Sequence, residues 1–276
     1  MLTSEIRPPA VAGMFYEREP VRLKKVIENY LNEVNPPKIA GEIIGLVSPH
    51  AGYFYSAKTA AYGYKLVKGK KYDTVVVISP SHYEYFRGVS IYNGTAYQTP
   101  LGVVPIDTEL RDELKDYNSI IEFSKRGHGR EHALEVQLPF LQIVLEEFKL
   151  LPVVMGDQSK EYVYGLAEVF AEVLKGKNVL LVASSDLSHY FSHDVANSLD
   201  SRVERLINDF NDEGLMDELE EEKVQACGGG PIVTIMKTSK LLGATKSRVL
   251  YRNDSSEASG DKHQVVGYLS AAFYKE

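Results

Sequence analysis

Residues 41–50 read GEIIGLVSPH and residues 73–82 read DTVVVISPSH. Each is an unbroken apolar run closed by Ser-Pro, with a histidine just beyond it. Two further runs share this character, LLPVVMG at 150–156 and NVLLVASSD at 178–186. Alternation of apolar and polar residues marks a strand with one wet face, whereas a run apolar throughout marks a strand covered on both faces. The stretches between the runs have helical spacing. Residues 56–67 are Ala-rich, 132–148 place Leu134, Leu138, Leu141 and Leu145 on one stripe, and 160–174 and 194–210 follow the same period. Pro139 should kink or restart the second of these. Strands alternating with helices predict an α/β fold, with a central, mainly parallel or mixed β-sheet flanked by helices. Residues 88–106 read differently: Asn-Gly and Pro-Leu-Gly turns within alternating sequence predict an antiparallel excursion. Residues 263–273 read as one more strand. No repeat or Gly/Ser-rich linker divides the chain, so a single domain over 1–276 is expected.

Composition narrows the class of protein. Of 276 residues, 44% are hydrophobic and 25% charged, as in ordinary soluble proteins. The net charge of -7 argues against nucleic-acid binding through bulk electrostatics. No apolar run reaches the ~18 residues of a membrane span, and the first residues lack the layout of a signal peptide. The single cysteine, Cys227, excludes an internal disulfide framework and fits a reducing compartment. A cytoplasmic protein without membrane or nucleic-acid partners is expected.

In open parallel sheets, ligands bind at the carboxyl ends of the strands. His50 and His82 follow the first two runs, Gly156-Asp157 the third, and Asp186 and His189 the fourth. One strand-end histidine is usually structural; several on one rim indicate a site. His132 sits at an expected helix start behind Glu131, whose charge suits a helix N-terminus. It is read as a capping residue or as a group near the pocket. His128 lies between Gly127 and Gly129, and neither His193 nor His263 has a setting that marks it out. Cys227 opens CGGGP, where Pro231 suits a first helical turn and Gly228 and Gly229 let a ligand approach the backbone. Three roles compete for this thiol: an inert buried group, a nucleophile working with a histidine, or a metal ligand. Two imidazoles and a thiolate would leave an open coordination position, and such donors favour iron, copper or zinc. Asp186 would then orient a ligand imidazole, and His189 would carry a proton.

The motifs together carry a resemblance. RPPAVAGMFY, SPHAGYFYSA, SPSHYEYF, GREHALEVQLPF, SSDLSHYF, ACGGGPI and SGDKHQVVGYLS follow one another along essentially the whole chain. In that order they resemble the Memo family, named after a mediator of cell motility in animals. The resemblance implies a fold like that of the class III extradiol dioxygenases. It also implies His50, His82 and Cys227 as metal ligands, His189 as acid or base, and His132 as a pocket histidine. Iron or copper is implied as the metal, with zinc a further option, and redox chemistry with it. A small-molecule or phosphotyrosine-like peptide ligand and an association with radical-SAM and AMMECR-type proteins follow from the same likeness. The dioxygenases have a carboxylate where this chain has Cys227, so ring cleavage does not follow from the fold. Three functions result: a metal-dependent, redox-linked enzyme with Asp186, His132 and Tyr53 lining its pocket; a binding module for an anionic or aromatic group; and a metal-free hydrolase or transferase with Cys227 as nucleophile.

Overall fold

In a computed structural model of the chain, which describes residues 5–117 and 119–276, the four apolar runs lie side by side as neighbouring strands. The described strands are β1 (Ile6–Arg7), β2 (Glu42–Ser48), β3 (Thr74–Pro80), β4 (Val89–Tyr92), β5 (Ala96–Thr99), β6 (Gly102–Pro105), β7 (Ile121–Ser124), β8 (Lys149–Met155), β9 (Val179–Ser184), β10 (His189–Phe191), β11 (Lys246–Asp254) and β12 (Val265–Lys275). The main sheet runs β10-β12-β2-β9-β3-β8-β4-β7, with β11 on β12. Its centre, β2-β9-β3-β8, is parallel. Antiparallel partners flank it, β12 beside β2 and β4 beside β8. The expected α/β class is therefore found, with a mixed sheet.

Alternation persists inside the apolar runs. On β3, Val75 and Val77 join one hydrophobic core, while Val76 and Ile78 join the other, because successive side chains point to opposite faces. The first face is covered by α1 (Pro20–Glu33), α2 (Tyr53–Val67) and, after α3 (Thr108–Glu113), by α4 (Leu138–Val144). The second is covered by α5 (Lys160–Val173), α6 (His193–Asn208), α7 (Asp212–Glu220) and α8 (Gly229–Leu241). Both faces being dry, nothing in these strands had to be polar. No helix among the described residues is long and apolar enough to cross a membrane.

Two expectations gain detail. The stretch 132–148 is not one helix: a 3₁₀ turn at Glu135–Gln137 leads into α4, with Pro139 in its first turn, and Leu145 ends it. Proline lacks the N–H that a continuous helix would need there. The excursion 88–106 has the expected antiparallel pairing, but it is divided between two sheets. β4 stays in the main sheet, and Asn93-Gly94 carries the chain out to a small second sheet, β1-β5-β6. Only the turn at Pro100-Leu101 joins antiparallel neighbours.

Candidate metal centre

Because β2, β9 and β3 are adjacent and parallel, the residues beyond their ends share one rim. His50 lies two residues past β2, His82 two past β3, and Asp186 two past β9. Their convergence is close. The His50 and His82 rings are 5.2 Å apart between centroids. A third ring joins them from the loop ahead of α4: His132 lies 5.5 Å from His50 and 4.8 Å from His82. One ligand atom from each of the three histidines falls within 4.8 Å of the others. Among the described residues, no other set of His, Cys, Asp or Glu closes in this way.

Two of the three rings are held by an identifiable partner. The Glu131 carboxylate stands 2.9 Å from His82 Nδ1 and accepts the His82 backbone N–H at 2.6 Å. It also accepts the backbone N–H groups of His132 and Ala133. Glu131 therefore does not serve a helix N-terminus as expected; it ties the second and third histidines together. His50 Nδ1 is 3.0 Å from Ser184 Oγ. His132 Nδ1 is buried without a hydrogen-bond partner, 3.4 Å from Glu131.

The electrostatics keep two imidazoles neutral. Burial, aided by the neighbouring His82, pushes His50 down to about 3. Burial, aided by His50, lowers His132 to about 4. Burial would lower His82 too, but the hydrogen bond and charge of Glu131 outweigh it and raise the group. Conversely, burial pushes Glu131 up, yet His82 and the backbone donors win and bring it to about 2. Neutral imidazoles with lone pairs at short mutual range, one with an unpartnered nitrogen, fit a metal ion.

Cys227 reaches the same pocket. Its sulfur is 3.1 Å from His50 Nε2 and receives the Asp186 backbone N–H at 3.3 Å. It does not complete a tight set with His82 and His132. Burial of the thiol, with the Asp186 carboxylate beside it, raises its pKa. Asp186 accepts the His50 backbone N–H at 2.7 Å, and burial raises its own carboxyl. His189, on β10, donates Nδ1–H to Leu187 O at 2.8 Å, which leaves Nε2 free.

The glycine cradle is not open to a ligand. Gly228 N–H donates to Ser185 Oγ, Gly229 N–H to Ala226 O and Gly230 N–H to Gln158 Oε1. Gly228 is instead required by packing, since a Cβ there would lie 2.3 Å from Ser184 O. Tyr53 is buried, with its hydroxyl donated to Val136 O at 2.7 Å, so that group is already engaged in the core. His128 is buried between Tyr97 and Ser90, and His193 pairs with Asp254. Neither belongs to the cluster of His50, His82 and His132.

Several contributors lay outside the sequence reading. Buried Arg7 bonds the carbonyls of His128, Gly129 and Glu131 and pairs with Glu135, pinning the loop that carries Glu131 and His132. Phe15 packs its ring 4.7 Å from His132. Gln137 and Ser184 stand behind His50. The only signal for these two was a polar residue inside an otherwise apolar stretch.

Comparison with known proteins places the chain in a family. A family profile described as Memo-like protein matches residues 7–272. A MEMO1 family protein of Sulfolobus acidocaldarius is 40% identical over 282 residues, covering 97% of this chain and 99% of its own. One from Methanosarcina mazei is 39% identical over 275 residues, covering 96% and 98%. Another, from Nitrosopumilus maritimus, is 36% identical over 273 residues, covering 97% and 99%. Among solved structures, an uncharacterized protein of Escherichia coli K12 superposes with a TM-score of 0.57 at 13% identity, covering 84% of this chain and 99% of its own. That likeness concerns the fold alone. With the match running nearly end to end, the chain belongs to the Memo family.

Proposed function

We propose that this chain binds one transition metal, iron or copper with zinc as a further occupant, in the strand-end pocket and uses it for redox-linked chemistry. The observation that carries this reading is the set of three histidine ligand atoms within 4.8 Å of one another. His50, His82 and His132 hold the ion, and Cys227 adds a soft donor beside His50. Such a site supplies Lewis-acid and electron-transfer chemistry when loaded. The protein's own groups do the rest. Glu131 keeps His82 oriented, Asp186 holds the His50 backbone, and His189 offers its free Nε2 for proton transfer at the pocket edge.

The binding-module reading keeps one supporting observation. Phe54, Tyr55, Tyr83 and Tyr190 are exposed and lie on the segments that leave the strand ends. The metal-free nucleophile reading is disfavoured, because burial and Asp186 keep the Cys227 thiol protonated. The test is metal content after purification without chelators. Wild type should retain stoichiometric metal, His82→Ala should lose it, and Cys227→Ala should retain less. Equal, negligible metal in all three proteins would end the proposal. With iron- or copper-loaded protein, oxygen consumption that is lost in His189→Ala while metal is retained would separate enzyme from binding module.

A further inference from the structure

Behind His50 lies a chain of neutral polar groups with only one consistent assignment of its hydrogens. Gln137 is 1% exposed and Ser184 fully buried. One end of the Gln137 amide stands 2.9 Å from Pro49 O, and the other 2.6 Å from the Tyr64 hydroxyl. A carbonyl oxygen only accepts, so the NH₂ must face Pro49 and the amide oxygen must face Tyr64. The second N–H of that NH₂ then donates to Ser184 Oγ at 2.7 Å. Ser184 Oγ also lies 2.6 Å from Ala133 O, another acceptor, so its own hydrogen goes there. One lone pair remains on Oγ, and His50 Nδ1 stands 3.0 Å away. That nitrogen must carry the hydrogen.

We infer that Gln137 and Ser184 are positioning residues that lock His50 as the Nδ1–H tautomer, with its Nε2 lone pair facing the pocket before any metal arrives. Tyr64 fixes the amide, the amide fixes the hydroxyl, and the hydroxyl fixes the ring. The hydroxyl also bonds the carbonyl of Ala133, next to His132, so one atom couples the first and third histidines. His82 receives the same service from a charged group, Glu131. The neutral relay adds no further charge to a buried site that already holds the Glu131 and Asp186 carboxylates. Removing Ser184 Oγ takes away the acceptor 3.0 Å from Nδ1–H and leaves it only the Ser184 backbone carbonyl. An Nε2–H would still face Cys227 Sγ at 3.1 Å and the Asp186 carboxylate at 4.0 Å. The tautomer should therefore invert.

The test is long-range 1H–15N correlation spectroscopy of the reduced, metal-free protein, with Ser184→Ala as the nearly isosteric variant. Wild type should show His50 protonated at Nδ1, and Ser184→Ala should show the Nε2–H form. Gln137→Met, checked for folding by thermal unfolding, should move the same way, because Ser184 is then free to turn its hydrogen toward His50. A wild-type His50 protonated at Nε2, or a Ser184→Ala spectrum with the wild-type tautomer, overturns the inference. A second arm rests on the metal reading above: zinc affinity by chelator competition should fall ~10-fold or more in Ser184→Ala. If wild type binds no zinc, the metal reading fails while the tautomer spectra still decide the relay.

Discussion

The Cys227 sulfur sits 3.1 Å from His50 Nε2, with the Asp186 backbone N–H pointing at it from 3.3 Å. A thiol so placed is a poor free nucleophile, since burial and the Asp186 carboxylate both oppose thiolate. Metal binding reverses that balance, because a bound cation favours the thiolate outright. In metal-free protein at neutral pH, Cys227 should therefore react with iodoacetamide far more slowly than a free cysteine, as read by mass spectrometry. Rapid alkylation of the folded, metal-free chain would restore the nucleophile reading.

Glu131 should give the site a distinctive acid response. Its carboxyl is lowered from 4.5 to about 2 in the fold, so its stabilising contribution is present above 4.5 and is lost as pH falls through about 2. A shift of that size corresponds to about 3 kcal/mol for this almost fully buried group. The stability difference between wild type and Glu131→Gln, from urea unfolding, should thus be largest above pH 4.5 and shrink toward pH 2. A difference that is flat across this window would show that the charge of Glu131 is not what holds His82.

How much of this was written in the sequence follows from what each residue depends on. The four core strands were legible because burial on both faces removes polar residues from 43–47 and 75–78 alike. Strand β11 was not, because its half-exposed residues mix charge and apolarity without period. His50, His82 and Asp186 were legible as strand-end groups, since parallel neighbours must end together. The approach of His132 to ligand distance was not. Its loop is pinned by Arg7 and Glu135, a pair separated by 128 positions, and by the Glu131 carboxylate. No local pattern encodes a contact of that range. The CGGGP segment was misleading for a related reason: its glycines looked like a ligand cradle, but they serve close packing, Gly228 against residues 184 and 185, Gly229 against Leu219 and Gly230 against Gln158 and Met155.

Gly228 makes that packing testable. Its φ of -108° suits any residue, so only contact opposes a side chain, and the contact is with backbone, Ser184 O at 2.3 Å. Gly228→Ala should cost about 1–3 kcal/mol by overpacking. The displaced groups include Ser184, so zinc affinity should fall along with the thermal midpoint. Gly69→Ala is an unsuitable control because its φ is +75°. Gly129→Ala, where nothing lies within 4 Å of the added Cβ, should leave both measurements near wild type. Unchanged stability in Gly228→Ala would mean that β9 and the start of α8 are not packed as described.

The loop that carries Asp186 and His189 depends on a second close approach. Leu187 N–H donates to Gly267 O, Gly267 N–H donates to Ser188 O, and Ser188 N–H donates to Asp200 Oδ1 at 3.1 Å. Asp200 Oδ2 occupies the space a side chain at 267 would need: a Cβ there would lie only 1.8 Å from it. Burial raises the Asp200 carboxyl from 3.8 to about 6. A raised acid contributes stability that is present below 3.8 and lost as pH rises through about 6, so at neutral pH the charged group weighs against the fold. Asp200→Ala alone gives up the Ser188 bond but removes that buried charge, so its net effect at neutral pH should be small. Gly267→Ala alone should be severely destabilising, because Asp200 has nowhere to go. The double variant should then be more stable than Gly267→Ala alone, with a coupling of at least ~1 kcal/mol by urea unfolding at neutral pH, as expected for residues in contact. Strictly additive effects would show that Asp200 does not fill the space above Gly267, and that the 187–189 loop is held by something else.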